Sequence, residues 1–262
     1  MTSNIELEPS SELIDTSKIT AIALCGGLGT RMNPVTKNLL PKSLVLVDAK
    51  PLLDYSIHPL VSAGIKRFIF AVSHRADQVI DYVKKSDYGV RQDFSIEPIA
   101  SGVTSAVKFA LNSFDIDSPI TVFDTDVVRI GLDFKDAYRF HVENRAKTTL
   151  VCASTHNPKD SNFIVEQDGL QEAALIVLHG SASVPLPAVI KCGMIITSKE
   201  TARFIRDNPD IGGNWIDLTE ALSTLGDMKV YLPPSPILYH NVNTPNELIE
   251  AEKELQSLSA NK

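Results

Sequence analysis

Ile19-Thr20-Ala21-Ile22-Ala23-Leu24-Cys25-Gly26-Gly27-Leu28-Gly29-Thr30-Arg31-Met32-Asn33-Pro34-Val35-Thr36, with Pro41-Lys42 shortly after it, is the stretch on which the fold turns. Its first part is an apolar run that breaks at paired glycines. That pattern predicts a buried strand emptying into a loop whose bare backbone N–H groups face an anion. Arg31 and Lys42 supply charge of the matching sign. Two phosphate loops are excluded by residue type. The dinucleotide fingerprint requires a third glycine where Met32 stands, and the Walker loop requires Gly-Lys-Ser/Thr where Pro41-Lys42-Ser43 stands.

Working outward, Leu44 to Val47 reads as a short extended piece, and from Pro51 the residues Leu52, Leu53, Ile57, Leu60 and Val61 fall at helical spacing, with Gly64 placed to stop the helix. Arg67 to Val72 reads as a strand, Ala76 to Lys85 as an amphipathic helix, Phe94 to Ile96 as a strand and Thr104 to Leu111 as a helix. Ile120 to Phe123 is an apolar strand ending in Asp124-Thr125-Asp126. Strand and helix alternate, which predicts an α/β protein with a mostly parallel sheet, helices on both faces and ligands at the carboxyl ends of the strands.

The second half is less regular. A helix is expected over Phe134 to Arg145, a strand over Thr148 to Ala153, a hairpin from Phe163-Ile164-Val165 with Asp168-Gly169, and a loop over Ser181 to Pro187. A buried strand follows at Val189 to Ile196, then helices at Lys199 to Asp207 and Trp215 to Leu225, and a strand at Val230 to Leu232. A helix from Pro245 to Leu258 is capped by Asn243 or Thr244.

With 262 residues and 44% hydrophobic content, the chain can bury a full core. Its net charge of −7 argues against a broad nucleic-acid surface, which needs a basic field, while a nucleotide needs only a local basic pocket. Cys25, Cys152 and Cys192 lack disulfide or metal spacing, and the scattered histidines hold no His-x-x-x-His pair. Residues 1–18 are acidic and serine-rich, which predicts a frayed tail rather than a targeting peptide, followed by one domain over 19–262. No apolar run is long enough to cross a bilayer, so a cytoplasmic protein without membrane partners is expected.

Gly27, Gly29, Thr30, Arg31, Pro34, Thr36, Pro41 and Lys42, continued by Val47, Lys50-Pro51 and Tyr55-Ser56-Ile57, match the opening signature of the sugar-1-phosphate nucleotidyltransferases, which the chain resembles. The resemblance implies a Rossmann-like, glycosyltransferase-A-like fold in three layers, α/β/α. It also implies a reaction in which the phosphate oxygen of a sugar 1-phosphate attacks the α-phosphorus of a nucleoside triphosphate and pyrophosphate leaves. Both reactants are anions, so the protein must neutralise charge and hold an in-line geometry, without a covalent intermediate.

On that resemblance Arg31 and Lys42 are catalytic, Arg31 clamping the β and γ oxygens through its planar fork and Lys42 facing the α-phosphate. Leu24, Gly26, Gly27, Gly29 and Thr30 fall on the nucleotide, as does Gly102, in the stretch Ser101 to Ala106 where relatives present Gly-Thr-Ala. Asp124 is read as a second acid at the nucleotide or as a turn cap. Asp126 is the first ligand of a magnesium ion, with Thr125 in place of the usual glycine, and Asn241 is the second, in His240-Asn241-Val242-Asn243-Thr244-Pro245. The other reading of Asn241 is a turn asparagine. Lys191 and Gly193, in Lys191-Cys192-Gly193-Met194, occupy the segment that closes on the sugar, and Lys191 is read as an acceptor-phosphate ligand or as a strand-edge lysine. Glu97 is read as solvated. The implied partners are a nucleoside triphosphate and a sugar phosphate, with homo-oligomerisation left open. Two rivals remain: a non-sugar acceptor such as phosphocholine or a cofactor precursor, and a nucleotide-binding regulatory subunit without turnover.

Overall fold

The apolar run after Ile19 forms strand β1 (Thr20–Leu24), which is hydrogen-bonded in parallel to a strand on each side. It is apolar on both faces because both are covered: Ala21 and Ala23 pack into one core, and Ile22 between them packs into another. The computed structural model describes residues 14–155, 164–168, 172–176 and 188–260. Further strands are β2 (Leu46–Val47), β3 (Lys50–Pro51), β4 (Arg67–Val72), β5 (Arg91–Ile96), β6 (Ile120–Asp124), β7 (Val127–Ile130) and β8 (Thr148–Thr155). They continue with β9 (Ile164–Asp168), β10 (Glu172–Ile176), β11 (Ala188–Thr197), β12 (Met228–Tyr231) and β13 (Leu238–Asn241). The helices are α1 (Asn33–Thr36), α2 (Leu52–Ser62), α3 (Ala76–Ser86), α4 (Val103–Ser113), α5 (Phe134–Glu143), α6 (Lys199–Asp207), α7 (Trp215–Ser223) and α8 (Pro245–Ala260).

Nine strands form the central sheet in the order β5-β4-β1-β6-β11-β8-β12-β10-β9. β4, β5 and β6 run with β1, and β12 runs with β8, whereas β11 is antiparallel to β6 and β8, and β10 to β12 and β9. Among the described residues only β10 and β11 oppose the rest, so the sheet is mostly parallel, as the alternation of elements predicts.

Alternate residues of the strands feed the two faces. Phe68, Phe70 and Phe123 pack with Leu53, Ile57 and Leu60 of α2, Val79 and Val83 of α3, and Phe134 and Ala137 of α5. On the other face Ile69, Ala71 and Val122 pack with Val107 and Ala110 of α4, Ala202 and Ile205 of α6, and Leu218 and Leu222 of α7. The result is three layers. A third, smaller core gathers Met32 from the glycine loop, Val47, Leu52, Val128, Val242, Ala251 and Leu255, and so seats α8 beneath the loop.

Several expectations are corrected. Leu44 to Val47 is not extended throughout: Lys42–Leu44 form a 3-10 turn, and only Leu46–Val47 pair, with β3. The antiparallel ribbon of β7 and β13 was not expected. The last residues of the expected tail are docked: Thr16 is buried and donates to the Ala63 carbonyl at 2.6 Å, and Ile14 packs against the first core. The β9–β10 hairpin pairs as expected, while its turn at Gly169 and the loop at Ser181 to Pro187 lie outside the described residues. No helix among the described residues is long and apolar enough to cross a membrane.

Two consequences of this topology position the site. Leu24 and Asp124 are register partners at the carboxyl ends of β1 and β6, so the glycine loop and the Asp124-Thr125-Asp126 turn emerge side by side. Thr125 Oγ1 ties them by donating to the Leu24 carbonyl at 2.7 Å.

Candidate active site

Each glycine after β1 meets a different demand. A Cβ on Gly26 would stand 3.2 Å from Ser73, whereas around Gly27 there is nothing within 4 Å, so its backbone faces open space. Gly29 adopts φ +60°, and a Cβ there would come within 3.1 Å of Lys42 Cβ. The chain then turns through Thr30–Met32 into α1, with Pro34 in its first turn and Met32 fully buried as the anchor.

Two adjoining cavities open on this loop. The first, about 320 Å³, is lined by Leu24, Gly26, Gly27, Gly102, Asp124 and Asn241, with Glu97, Val103, Ala106 and Trp215 completing its wall. The second, about 390 Å³, is lined by Gly29, Thr30 and Arg31. Gly27, Lys42, Gly102, Asp126 and Asn243 line both. The structure therefore gathers the glycine loop, Arg31, Lys42, Asp124, Asp126 and Asn241 around one continuous space. Lys191 and Gly193 do not line either cavity among the described residues, although both lie just behind the wall.

The charged centre is built from three distant segments. Lys42 Nζ donates to Asp126 Oδ2 at 2.5 Å and to Asn243 Oδ1 at 2.6 Å, and Arg31 donates to the same Asn243 oxygen at 3.0 Å. Asn243 is brought there by the β7–β13 ribbon, where the Val242 N–H donates to the Asp126 carbonyl at 3.0 Å. Glu247 accepts from the Asn243 and Thr244 amides at 2.5 and 2.7 Å, and Thr244 Oγ1 accepts from the Glu247 amide at 3.3 Å. Thr244 and Glu247 thus cap α8 and leave the Asn243 side chain for the two cations. Sequence reasoning treated Asn243 only as a cap, although its place two residues after Asn241 was a usable signal.

No group of three or more His, Cys, Asp or Glu side chains suited to a metal occurs among the described residues. What the site does offer is the Asp126 carboxylate, 31% exposed, and Asn241 Oδ1, buried without a hydrogen-bond partner among the described residues. A buried acceptor without a donor is costly, and a cation would satisfy it. Two oxygens with room for phosphates and water suit a hard, well-hydrated divalent ion such as magnesium.

The inner wall is drier. Burial raises the Asp124 carboxyl to about 6, against the lowering effect of Lys191, and lowers the Lys191 ammonium to about 8, against the raising effect of Asp124. Trp215 Nε1 donates to both Asp124 oxygens, at 2.9 and 3.1 Å, and Lys191 Nζ lies 3.3 Å from the centroid of the indole. Lys191 is 4% exposed, held behind Trp215 and not at a strand edge. Burial also pushes the Cys25 thiol up to about 12, so it stays a protonated wall residue.

Gly102 lines both cavities and makes a second contact, while Glu97 departs from the reading given to it. A Cβ on Gly102, at φ +100°, would stand 2.2 Å from the Gly213 carbonyl, which accepts from the Thr104 amide at 3.3 Å; the close approach is to this loop as well as to the cavity. Glu97 is not merely solvated: it lines the first cavity and accepts a short hydrogen bond from Ser105 in the first turn of α4.

Comparison with known proteins agrees with this geometry. The chain is 32% identical over 237 residues to mannose-1-phosphate guanyltransferase 2 of Candida glabrata, covering 80% of this chain and 64% of that protein. It is 33% identical over 151 residues to a mannose-1-phosphate guanyltransferase of Yarrowia lipolytica, covering 56% of this chain and 41% of that one. The chain thus spans less than two thirds of the length of these relatives. Its fold is shared with HddC of Yersinia pseudotuberculosis, solved with GMP-PN, at a TM-score of 0.73 and 23% identity over 90% of this chain and 99% of that one. Residues 20–177, more than half of the chain, match the family described as Nucleotidyl transferase. With its glycine loop, cations and carboxylates gathered at the carboxyl ends of β1 and β6, the chain belongs to the nucleotidyl transferase family.

Proposed function

We propose that this chain is a sugar-phosphate nucleotidyltransferase that condenses GTP with an aldose 1-phosphate of the mannose 1-phosphate kind, giving a GDP-sugar and pyrophosphate in the cytoplasm. The observation that carries the reading is the meeting of Arg31, Lys42, Asp126 and Asn243 beside the open backbone of Gly27. A triphosphate laid along Gly27 to Arg31 puts its β and γ oxygens within the reach of the guanidinium fork and its α-phosphate at Lys42. The Lys42 ammonium, oriented by Asp126 and Asn243, then stabilises charge that grows on the α-phosphate as the acceptor oxygen attacks.

The nucleoside takes the first cavity, against Leu24, Val103 and Ala106. Guanine presents two N–H donors on one edge, and the Glu97 carboxylate, oriented by Ser105, is the matching acceptor. The names of the relatives point to the same base and acceptor. Magnesium, when bound, supplies neutralisation of the phosphates, and Asp126 and Asn241 are the residues whose oxygens hold it. The acceptor side falls to β11, where Gly193 shapes the wall and Lys191 contributes positive charge.

A matrix of nucleoside triphosphates against sugar 1-phosphates, with magnesium and detection of pyrophosphate and sugar nucleotide by mass spectrometry, tests this directly. GTP with mannose 1-phosphate is expected to give the largest kcat/KM. A sugar nucleotide from none of the pairs overturns the reading.

A further inference from the structure

Asp124 ends β6, lines the first cavity and is gripped from three other elements. From α7, the Trp215 Nε1–H donates to both carboxylate oxygens. From β11, Gly193 at φ +59° approaches so closely that a Cβ there would stand 2.5 Å from Asp124 Oδ2. From β7, Arg129, 2% exposed, donates to the Asp124 carbonyl at 2.9 Å and to the Cys192 carbonyl at 3.2 Å. Arg129 thereby ties the end of β6 to the place where the β11 pairing shifts register, between Lys191 and Ile195.

Where Arg129 joins the backbone carbonyls of the two halves of the wall, Trp215 joins their side chains. Its edge holds the carboxylate on the nucleotide side, and its face carries the Lys191 ammonium of β11. Its body packs with the second core, a task any large apolar residue would perform. The edge bond is different, because phenylalanine would fill the space and leave Asp124 without that donor. A carboxylate released from a fixed donor turns freely about its side-chain torsions, and the wall it belongs to loses a defined spacing from β11.

We propose that Trp215 is a positioning residue for nucleotidyl transfer, fixing the Asp124 carboxylate on the nucleotide wall and the Lys191 ammonium on the acceptor strand as one unit. The proposal rests on the transferase reading above. It acts through its neighbours, so its signature is a loss in the use of the acceptor that exceeds any change in affinity for the nucleotide, whose cavity it helps to line.

Two variants separate positioning from packing. Trp215→Phe keeps a ring of similar bulk and loses the donor, while Trp215→His keeps a ring N–H and loses bulk. Trp215→Phe is expected to lower kcat/KM for the sugar phosphate about tenfold to hundredfold, the size of a hydrogen bond to a charged group, with a smaller change in the KM for GTP. Trp215→His is expected to recover part of that loss. Trp215→Phe equal to wild type, or better than Trp215→His, overturns the proposal. Trp215 is also the only tryptophan of the chain, so intrinsic emission reports on it alone. The emission is expected to change saturably with magnesium and GTP and again with mannose 1-phosphate, and an emission indifferent to both overturns the proposal. Pyrophosphate release by the wild type judges the transferase reading separately: with none from any substrate pair that reading falls and this one with it, whereas equal turnover in wild type and Trp215→Phe removes only the role of Trp215.

Discussion

The glycine loop and the β11 bulge each press a left-handed glycine against a side chain of the site, with opposite results. Gly29 packs on the Cβ of Lys42 and leaves the ammonium at the end of its stem, in the space shared by both cavities. Gly193 packs on the Asp124 carboxylate itself and closes one side of it, leaving it to the wall of the first cavity. At the first place the charge stays where an arriving anion can meet it. At the second the charge is dried out, and burial moves Asp124 up and Lys191 down. The glycine-loop end is therefore built to receive charge, and the β11 end to hold a fixed shape around charge already present.

The largest expected effect falls on the receiving end. Lys42→Ala should lower kcat about 10²- to 10³-fold while weakening GTP binding far less, because its contact strengthens as the transition state forms. Single-turnover rates beside equilibrium binding would show the split, and an equal loss in both would place Lys42 in ground-state binding only. Next comes the contrast between the two glycines. Gly193→Ala should cost about 3 kcal/mol in denaturant unfolding, from the left-handed backbone and the clash with Asp124, against about 1 to 2 kcal/mol for Gly29→Ala, where a flexible stem can give way. Equal costs would mean that the bulge does not close on Asp124.

The Asp124 carboxylate also predicts a pH response. With its folded value at about 6 against 3.8 for a free aspartate, Asp124 binds more protons in the folded than in the unfolded chain between these limits. Its contribution to stability is therefore present below about 4 and lost as pH rises through 6. Denaturant unfolding followed from about pH 4 to 7 should show this loss, and Asp124→Asn should flatten it. The smallest effect is at Asn241. Asn241→Asp adds charge next to Asp126 and should lower the magnesium concentration for half-maximal rate by about threefold to tenfold, read by titration after chelation.

Legibility in the sequence followed the locality of the forces. β4 was read to the residue because Phe68, Ile69, Phe70, Ala71 and Val72 are buried on both faces, and α6 because Ser198 caps its start by accepting from the Thr201 amide. The β7–β13 ribbon escaped because its strands are four residues long and, among the described residues, each pairs only with the other, a partner more than 100 residues away in the chain. Asn243 escaped for the same reason: in the chain it looks like a cap, and only the ribbon carries it to Lys42. Trp215 reads locally as the start of a helix behind Asn214, and nothing nearby in the chain announces Asp124 or Lys191.

The bonds from Arg31 and Lys42 to Asn243 close spans of 212 and 201 residues. A ribosome delivers the two cations early and their shared amide late, so a nascent polypeptide short of that amide carries the cradle without its final strut. The centre is thereby completed only once the strand and helix over residues 238–260 have docked.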